Sequence, residues 1–200
     1  MAAILIGCEY SGTVRDEFAA LGHDAWSNDI LPSERAGKHL QCDVKEAVAS
    51  RKWDLILLHP ECTKITLCGN KHYGRGKERH QERLDAIDWT VDLWQLALRH
   101  APRVALENPR NLLTRHLGFK PSVIHPWQFG HPEQKETWLW LHGLPPLVPT
   151  NNVYEEMMQL PKNQRERVFY MSPGPRRGLE RARTYPGIAK AIATQWSKVL

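Results

Sequence analysis

Asp54–Thr63, with the sequence DLILLHPECT, is the stretch that decides the fold. Four consecutive apolar residues between an aspartate and a His-Pro pair are typical of a buried strand that runs into a loop. In a parallel α/β sheet, ligands bind just beyond the carboxyl ends of the strands. The stretch therefore predicts that Cys62 lies at a ligand-binding edge, with a merely buried free cysteine as the structural alternative.

The length and composition of the chain predict one domain over residues 1–200, with an irregular basic region over residues 145–183. The four cysteines are unevenly spaced and do not predict a disulfide framework. No stretch is apolar and long enough for a membrane span, and the start of the chain does not resemble a signal peptide. We therefore expect a cytoplasmic protein without a membrane partner, and the sequence leaves its oligomeric state open.

The positive charge of the chain, which is +5 overall, is concentrated in two segments. Lys64–Arg83 carries six Lys or Arg residues against two Glu, and Lys162–Arg183 carries seven against two. Their glycines and prolines predict loops, the first of them mobile. Basic loops suit a polyanionic partner, although each segment alone could also be an ordinary solvated surface.

The first half of the chain predicts strand–turn–helix units. Ala3–Ile6 is a strand, and a turn then leads into a helix over Thr13–Gly22, which is the usual opening of a nucleotide-type cofactor site. A second strand over His23–Ile30 ends at Asp29, where an acid is placed to bind ribose hydroxyl groups. Asp43 forms a third acidic corner, and the alternative for both acids is an ordinary loop position.

The remaining pattern alternates helices and strands and so predicts an α/β fold, a mostly parallel sheet with helices on both faces. A short strand over Arg103–Leu106 ends at Glu107, which we expect to face the same crevice as Cys62. The alternative for Glu107 is a capping turn. The other expected elements are helices over 44–50, 81–100 and 188–199, a helical turn near 154–160, and strands over 121–129 and 137–142.

Several of these residues resemble motifs of the cytosine-5 DNA methyltransferases, in the form of a compact phage-type relative. The Pro-Cys pair of that family resembles Pro60-Glu61-Cys62, and its Glu-Asn-Val motif resembles Glu107-Asn108-Pro109. Its Gln-x-Arg-x-Arg segment is loosely similar to Gln134–Thr137. Its glycine-rich first turn corresponds to Glu9–Gly12, and its last motif, which packs under the cofactor, resembles Tyr185–Trp196.

The resemblance implies a Rossmann-like class I fold, S-adenosylmethionine as cofactor, and methyl transfer to C5 of a cytosine flipped out of duplex DNA. It also implies the cytoplasm of a bacterial host. The implied catalytic residues are Cys62, Glu107 and Asn108, and the implied cofactor contacts are Glu9, Tyr10, Ser11, Gly12, Asp29, Ile30, Asp43, His59 and Pro60. The expected substrate contacts, several of which lie on the basic segment Lys64–Arg83, are Thr63, Lys64, Arg75, Lys77, Arg79, Lys135 and Thr137.

The chemistry of that family explains the residue types. A cysteine thiolate adds to C6 of cytosine, which makes C5 nucleophilic enough to take the methyl group. A carboxyl group such as that of Glu107 binds N3 and the exocyclic amine and stabilises the charge that develops. Glu61 departs from the family pattern, and its charge would raise the pKa of Cys62. The first turn also has one glycine where several are usual, and residues 143–184 leave no room for a separate target-recognition domain.

Two metal-based alternatives are weaker. His59-Pro60-Glu61 matches the H-x-E of zinc deaminases, but the P-C-x-x-C that this class needs is missing because no cysteine follows Cys68. Cys62, Cys68 and His72 have irregular spacing for a metal site. Three functions stay open: cytosine-C5 methylation of DNA, the same chemistry on a nucleotide, and non-catalytic DNA binding.

Overall fold

The chain folds around one seven-stranded sheet in the computed structural model, which describes residues 1–175 and 177–200. The strand order is β3-β2-β1-β4-β5-β7-β6, and only β7 runs against the others. The strands are β1 (Ala3–Gly7), β2 (Asp24–Asp29), β3 (His39–Gln41), β4 (Leu55–Leu58), β5 (Val104–Pro109), β6 (Ser122–Ile124) and β7 (Thr137–His142).

The helices lie between these strands and after the last of them, and the predicted α/β alternation is confirmed. The longer helices are α1 (Thr13–Ala20), α2 (Val44–Ala49), α4 (His80–His100), α6 (Tyr154–Gln159) and α10 (Pro186–Trp196). The shorter ones are α3 (Asn70–Tyr73), α5 (Leu113–Leu117), α7 (Lys162–Arg165), α8 (Arg167–Tyr170) and α9 (Arg177–Ala182). None of the helices in the described ranges is long and apolar enough to cross a membrane.

Both faces of the sheet are covered, because successive side chains of a strand point to opposite faces. In β1, Ile4 and Ile6 pack with residues of α1 and α10, whereas Leu5 packs on the other face with residues of α2 and α4. β4 alternates in the same way and is fully buried over all four residues. A strand buried on both faces reads as a continuous apolar run, which is why the 55–58 stretch is so clear in the sequence.

Three predicted segments differ from the structure. The strand expected over 121–129 is only Ser122–Ile124, because Pro126 begins a 3-10 turn over Pro126–Gln128. The basic segment 64–83 was expected to be a mobile loop, but it contains a 3-10 turn over Leu67–Gly69, α3 and the start of α4. Residues 145–183 contain α6, α7, α8 and α9, so the irregular region is a chain of short helices.

Asp24 ties three segments together at the start of β2. Its carboxylate accepts hydrogen bonds from Lys38 Nζ at 2.6 Å, Arg51 Nη2 at 2.9 Å and Trp26 Nε1 at 2.9 Å. The hydrogen bond from Lys38, with help from Arg51, lowers the pKa of Asp24 from 3.8 to about 2. The folded state therefore gains stability from this carboxylate only where it is ionised.

The Asp24→Asn variant should lower the free energy of unfolding by about 1 kcal/mol at pH 6, since partly exposed ion pairs are screened by water. A lowered pKa stabilises the fold above the unfolded value of 3.8, and this stability is lost as the pH falls through about 2. Urea unfolding at pH 6 and pH 3 should therefore show a smaller difference at pH 3. Asp88→Asn, on an exposed position of α4, is the matched control, and an Asp24→Asn effect of equal size at both pH values would contradict this account.

Candidate active site

Reactive and acidic side chains gather where β1, β2 and β4 end, beside the point at which the strand order reverses. Cys8 follows β1 in a left-handed conformation with φ 59°, which is unusual for a residue other than glycine. Burial, together with the negative charges of Asp29 and Asp43, raises the pKa of its thiol to about 12. Asp29 and Asp43 are therefore both close enough to act on the Cys8 thiol.

Glu9 holds the turn between β1 and α1. Its buried carboxylate accepts hydrogen bonds from the backbone amides of Val14 at 2.6 Å and Arg15 at 3.3 Å, and from Ser11 Oγ at 3.4 Å. The amides at a helix N-terminus otherwise lack partners, and the helix dipole favours a negative charge there. Burial raises the pKa of Glu9, against the lowering influence of His59 and these amides. Glu9 thus caps α1. Both of its carboxylate oxygens already accept hydrogen bonds, whereas the sequence predicted a contact with a cofactor.

Gly12 and Tyr10 complete this turn. Gly12 has φ 68°, and a Cβ atom there would collide with the Arg15 guanidinium, so only glycine fits. The buried Tyr10 donates a hydrogen bond to the carbonyl of Leu179 at 2.9 Å. This hydrogen bond brings α9 over the turn.

Asp29 and Ile30 form a pair suited to a nucleoside. Asp29 Oδ1 accepts a hydrogen bond from the Leu31 amide at 3.0 Å. Ile30 beside it is 74% exposed, an unusual position for so large an apolar side chain. Asp43, in contrast, caps α2 by accepting from the Lys45 amide at 2.7 Å. A carboxylate beside an exposed apolar surface at a strand switch point matches the needs of ribose hydroxyls and a flat base.

The loop after β4 carries Cys62 and is held by a buried arginine. The Cys62 carbonyl accepts hydrogen bonds from the backbone amides of Ile65 at 3.1 Å and Thr66 at 3.0 Å, and these close a tight turn. Arg83 donates to the carbonyls of Lys64 at 2.7 Å and Thr66 at 3.0 Å. The role of Arg83 was not predicted, although a signal exists in the sequence: Arg83 is in helical register with the buried Ile87, Thr90, Trp94 and Ala97 of α4.

Asn108 joins the end of β5 to this loop. Its buried side chain donates to the carbonyl of Pro60 at 3.0 Å, and its Oδ1 accepts from Asn111 Nδ2 at 3.0 Å. Asn108 therefore positions the Cys62 loop, and no contact with a reacting atom is needed to explain its place. Pro60 itself is buried.

Glu107 and His59 form the central pair of the site. His59 Nδ1 lies 3.1 Å from Glu107 Oε2, and the His59 side chain is only 8% exposed. Burial by itself raises the pKa of Glu107, but the hydrogen bond and charge of His59, together with the charge of Lys135, outweigh it and lower the pKa overall. Glu107 is therefore ionised at neutral pH and acts as an acceptor. His59, expected as a cofactor contact, instead meets the residue expected to bind the base.

Cys62 lies within the electrostatic influence of this pair. Burial raises the pKa of its thiol, and the negative charge of Glu107 adds to that rise. The positive charges of Lys135 and Arg181 act in the opposite direction. The thiol is therefore protonated at neutral pH, and forming the thiolate requires a change in its surroundings or a base.

A small cavity lies beside these groups, and α9 and α10 close it. It holds about 20 Å³, room for roughly one water molecule. Lys135 Nζ donates to the carbonyl of Arg181 at 3.0 Å, and Arg183 pairs with Glu34 at 2.6 Å, so the covering segment is tied down on both sides. The residues that line the cavity include His59, Glu107, Lys135, Thr137, Leu139, Ala182, Thr184, Tyr185 and Ile188.

The expected substrate contacts fall into two groups. Lys135 and Thr137 line the cavity. The others lie on the loop after Cys62, where Thr63, Arg75 and Lys77 are exposed. Lys64 and Arg79 both pair with Glu82, at 3.2 Å and 2.7 Å, so their charges are partly balanced.

Two further observations limit the alternatives. Across residues 1–175 and 177–200, no group of three or more His, Cys, Asp or Glu side chains is arranged to hold a metal ion. A larger cleft of about 390 Å³ lies between Trp127, Asn152, Tyr154 and Glu155, away from the cysteine and its neighbours.

No protein-family model matches the chain, and no curated protein matches it.

The charges around Cys62 make a testable prediction about its reactivity. Glu107→Gln should lower the pH at which alkylation of Cys62 reaches half its maximal rate, because it removes a nearby negative charge. Lys135→Gln should raise that pH, because it removes a positive one. Peptide mass spectrometry after iodoacetamide pulses at several pH values measures the rate, with the exposed Cys68 as the internal reference. If the wild type and both variants reached the half-maximal alkylation rate of Cys62 at the same pH, the assigned charges would not act on Cys62.

Proposed function

We propose that the protein is a class I S-adenosylmethionine-dependent methyltransferase that methylates C5 of cytosine through a covalent adduct with Cys62. The observation that carries the proposal is that Cys62 follows β4 while Glu107 lies near the end of the adjacent parallel strand β5, lines the small cavity with His59, and acts on the Cys62 thiol through its charge. A thiol and a carboxylate in this relation suit nucleophilic addition to a ring that the carboxylate orients.

The sheet supports the cofactor half of the proposal. Its order β3-β2-β1-β4-β5 is that of a doubly wound fold, in which the crevice at the β1/β4 reversal binds nucleotide-type ligands. The antiparallel β7 beside β5 agrees with the mostly parallel sheet of the methyltransferase class. Asp29 and the exposed Ile30 lie at this crevice and fit the ribose and adenine of S-adenosylmethionine.

The chain's own residues account for the chemistry on the base. The Cys62 thiolate would form a bond to C6, and the Glu107 carboxylate would accept a hydrogen bond from the exocyclic amine. Asn108 fixes the distance between the two by holding the Pro60 carbonyl. The bound cofactor supplies the methyl group. The cavity holds only about one water molecule, so a base would enter only after α9 moves away, since α10 is part of the core.

A cytosine in DNA is the favoured substrate. The exposed Arg75 and Lys77 follow Cys62 along the chain and would meet phosphates. The same chemistry on a free nucleotide is the second candidate, because residues 143–184 form short helices and not a separate recognition domain. A relative that binds DNA without catalysis is the third.

The Cys62→Ser variant should abolish methyl transfer, because a hydroxyl at neutral pH is a far weaker nucleophile than a thiolate. The measurement is transfer of a labelled methyl group to duplex DNA, single strands and cytidine nucleotides, offered side by side. Cys68→Ser is the matched control, since Cys68 is exposed on the same loop. Calorimetry with S-adenosylhomocysteine should give equal binding to both variants, and full activity of Cys62→Ser would rule out the covalent route.

A site without a recognition domain should read a short sequence, of about two to four base pairs, and bind mainly through phosphates. Neutralising Arg75, Lys77 and Arg79 together should weaken binding about equally for all sequences. A plot of the logarithm of the binding constant against the logarithm of the salt concentration should also become less steep, by about 0.9 in slope for each phosphate that the variant no longer neutralises. The Lys190→Gln variant, exposed on α10, is the control. Bisulfite sequencing of DNA from expressing cells completes the test, and methylation confined to one motif of six or more bases would contradict it.

A further inference from the structure

The His59 imidazole has a partner on one side only. Nδ1 faces Glu107 Oε2 at 3.1 Å, whereas the buried Nε2 has no hydrogen-bond partner among the described residues. Leaving a buried polar atom without a partner is destabilising, so such an atom calls for an explanation. His59 also lines the small cavity, together with Glu107 and Lys135. Its position thus points to a role in the reaction as well as in folding.

The charges that face this imidazole come from several elements. A positive charge on the ring acts to lower the pKa of both Glu9 and Glu107, so the imidazole faces two carboxyl groups, the buried one of Glu9 and the partly exposed one of Glu107. Lys135, which precedes β7, also lowers the pKa of Glu107. The other titratable or charged groups near the cavity are Cys62 on its loop, Arg181 of α9 and Tyr185 before α10.

Glu107 alone cannot protonate a base, because it is ionised at neutral pH. Addition of a thiolate to C6 of cytosine nevertheless places an electron pair on N3, and that pair needs a proton. The nearest N–H group bound to the Glu107 carboxylate is that of His59. A carboxylate that already binds a proton donor can pass that donor's proton on to a bound ring.

We propose that His59 is a positioning residue that orients Glu107 and delivers, through its carboxyl group, the proton that N3 takes when Cys62 adds to C6. This inference rests on the proposed function and assigns a role that the resemblance does not supply.

In the proposed step, a lone pair of the Cys62 thiolate forms the S–C6 bond, the C5=C6 pair moves to C4=C5, and the C4=N3 pair moves to N3. The ionised Glu107 takes the Nδ1 proton of the imidazolium form of His59, and the carboxylic acid so formed gives its proton to N3. The products are a neutral enamine adduct, an ionised Glu107 and a neutral imidazole. If His59 were already neutral, the same transfer would create an imidazolate, so the proton transfer would not occur.

The first test does not depend on methyl transfer. In protein labelled with ¹⁵N-histidine, the ring-nitrogen shifts of His59, assigned by comparison with His59→Gln, should show both ring nitrogens protonated in the pH range in which the adduct forms, because the transferred proton must come from the imidazolium. A ring with only one protonated nitrogen throughout that range would overturn the inference.

The second test follows adduct formation with duplex DNA that contains 5-fluorocytosine. The wild-type rate should rise with pH as the thiolate forms and then decline as the His59 imidazolium loses a proton and becomes neutral. His59→Gln keeps a hydrogen-bond donor for Glu107 but no transferable proton, so it should be slower by about 10²-fold and lose the alkaline decline. His72→Gln, on the exposed surface of α3, should behave as the wild type.

The outcomes separate the two proposals. If the wild type forms no adduct with any cytosine substrate, the proposed function fails. If the wild type forms the adduct and His59→Gln shows the same rate and the same pH profile, only the role of His59 fails. If His59→Gln is slower by the same factor at every pH, His59 is merely structural and the inference fails as well.

Discussion

The reversal of strand order between β1 and β4 is the constraint on which the rest of the molecule depends. β1 lies inside the sheet, with β2 and β3 on one side and β4, β5, β7 and β6 on the other. The loops that follow β1 and β4 must leave the sheet toward opposite faces, and a crevice opens between them. Asp29 and Ile30 follow β2 on one side of this crevice and Cys62 follows β4 on the other, which would separate the proposed cofactor from the proposed base.

The loops around this crevice are held by buried polar side chains, because irregular backbone cannot satisfy its own hydrogen bonds. Arg83 binds carbonyls after β4, and Arg15 does the same for the segment after β2, where it donates to the carbonyl of Ala36 at 3.0 Å. A buried cation deprived of such acceptors would be strongly destabilising. The arginines and Asn108 therefore fix the reactive groups to the sheet with little regular structure between them.

Much of this arrangement follows from local sequence, and the rest follows from contacts that local sequence does not record. Apolar runs such as 55–58 and the polar residues at strand ends locate the sheet and its functional edge, since periodicity is a local property. The cover over the cavity was not predictable, because the Tyr10–Leu179 hydrogen bond joins residues 169 positions apart. Glu9 was expected to contact a cofactor, because an acid in a first turn gives the same sequence signal whether it caps a helix or binds a ligand. Whether Glu61 alters Cys62 stays a prediction.

The proposed reaction would couple the opening of the cavity to the reactivity of Cys62. Burial is the main reason that the pKa of the Cys62 thiol is raised, and the positive charges of Lys135 and Arg181 oppose that rise. The Lys135 ammonium group also binds α9 at the Arg181 carbonyl. In the proposed reaction, α9 would have to move before a base could enter the cavity. Any increase in the access of water to Cys62 that accompanies this movement would favour the thiolate, so the nucleophile and the space for the base would become available together.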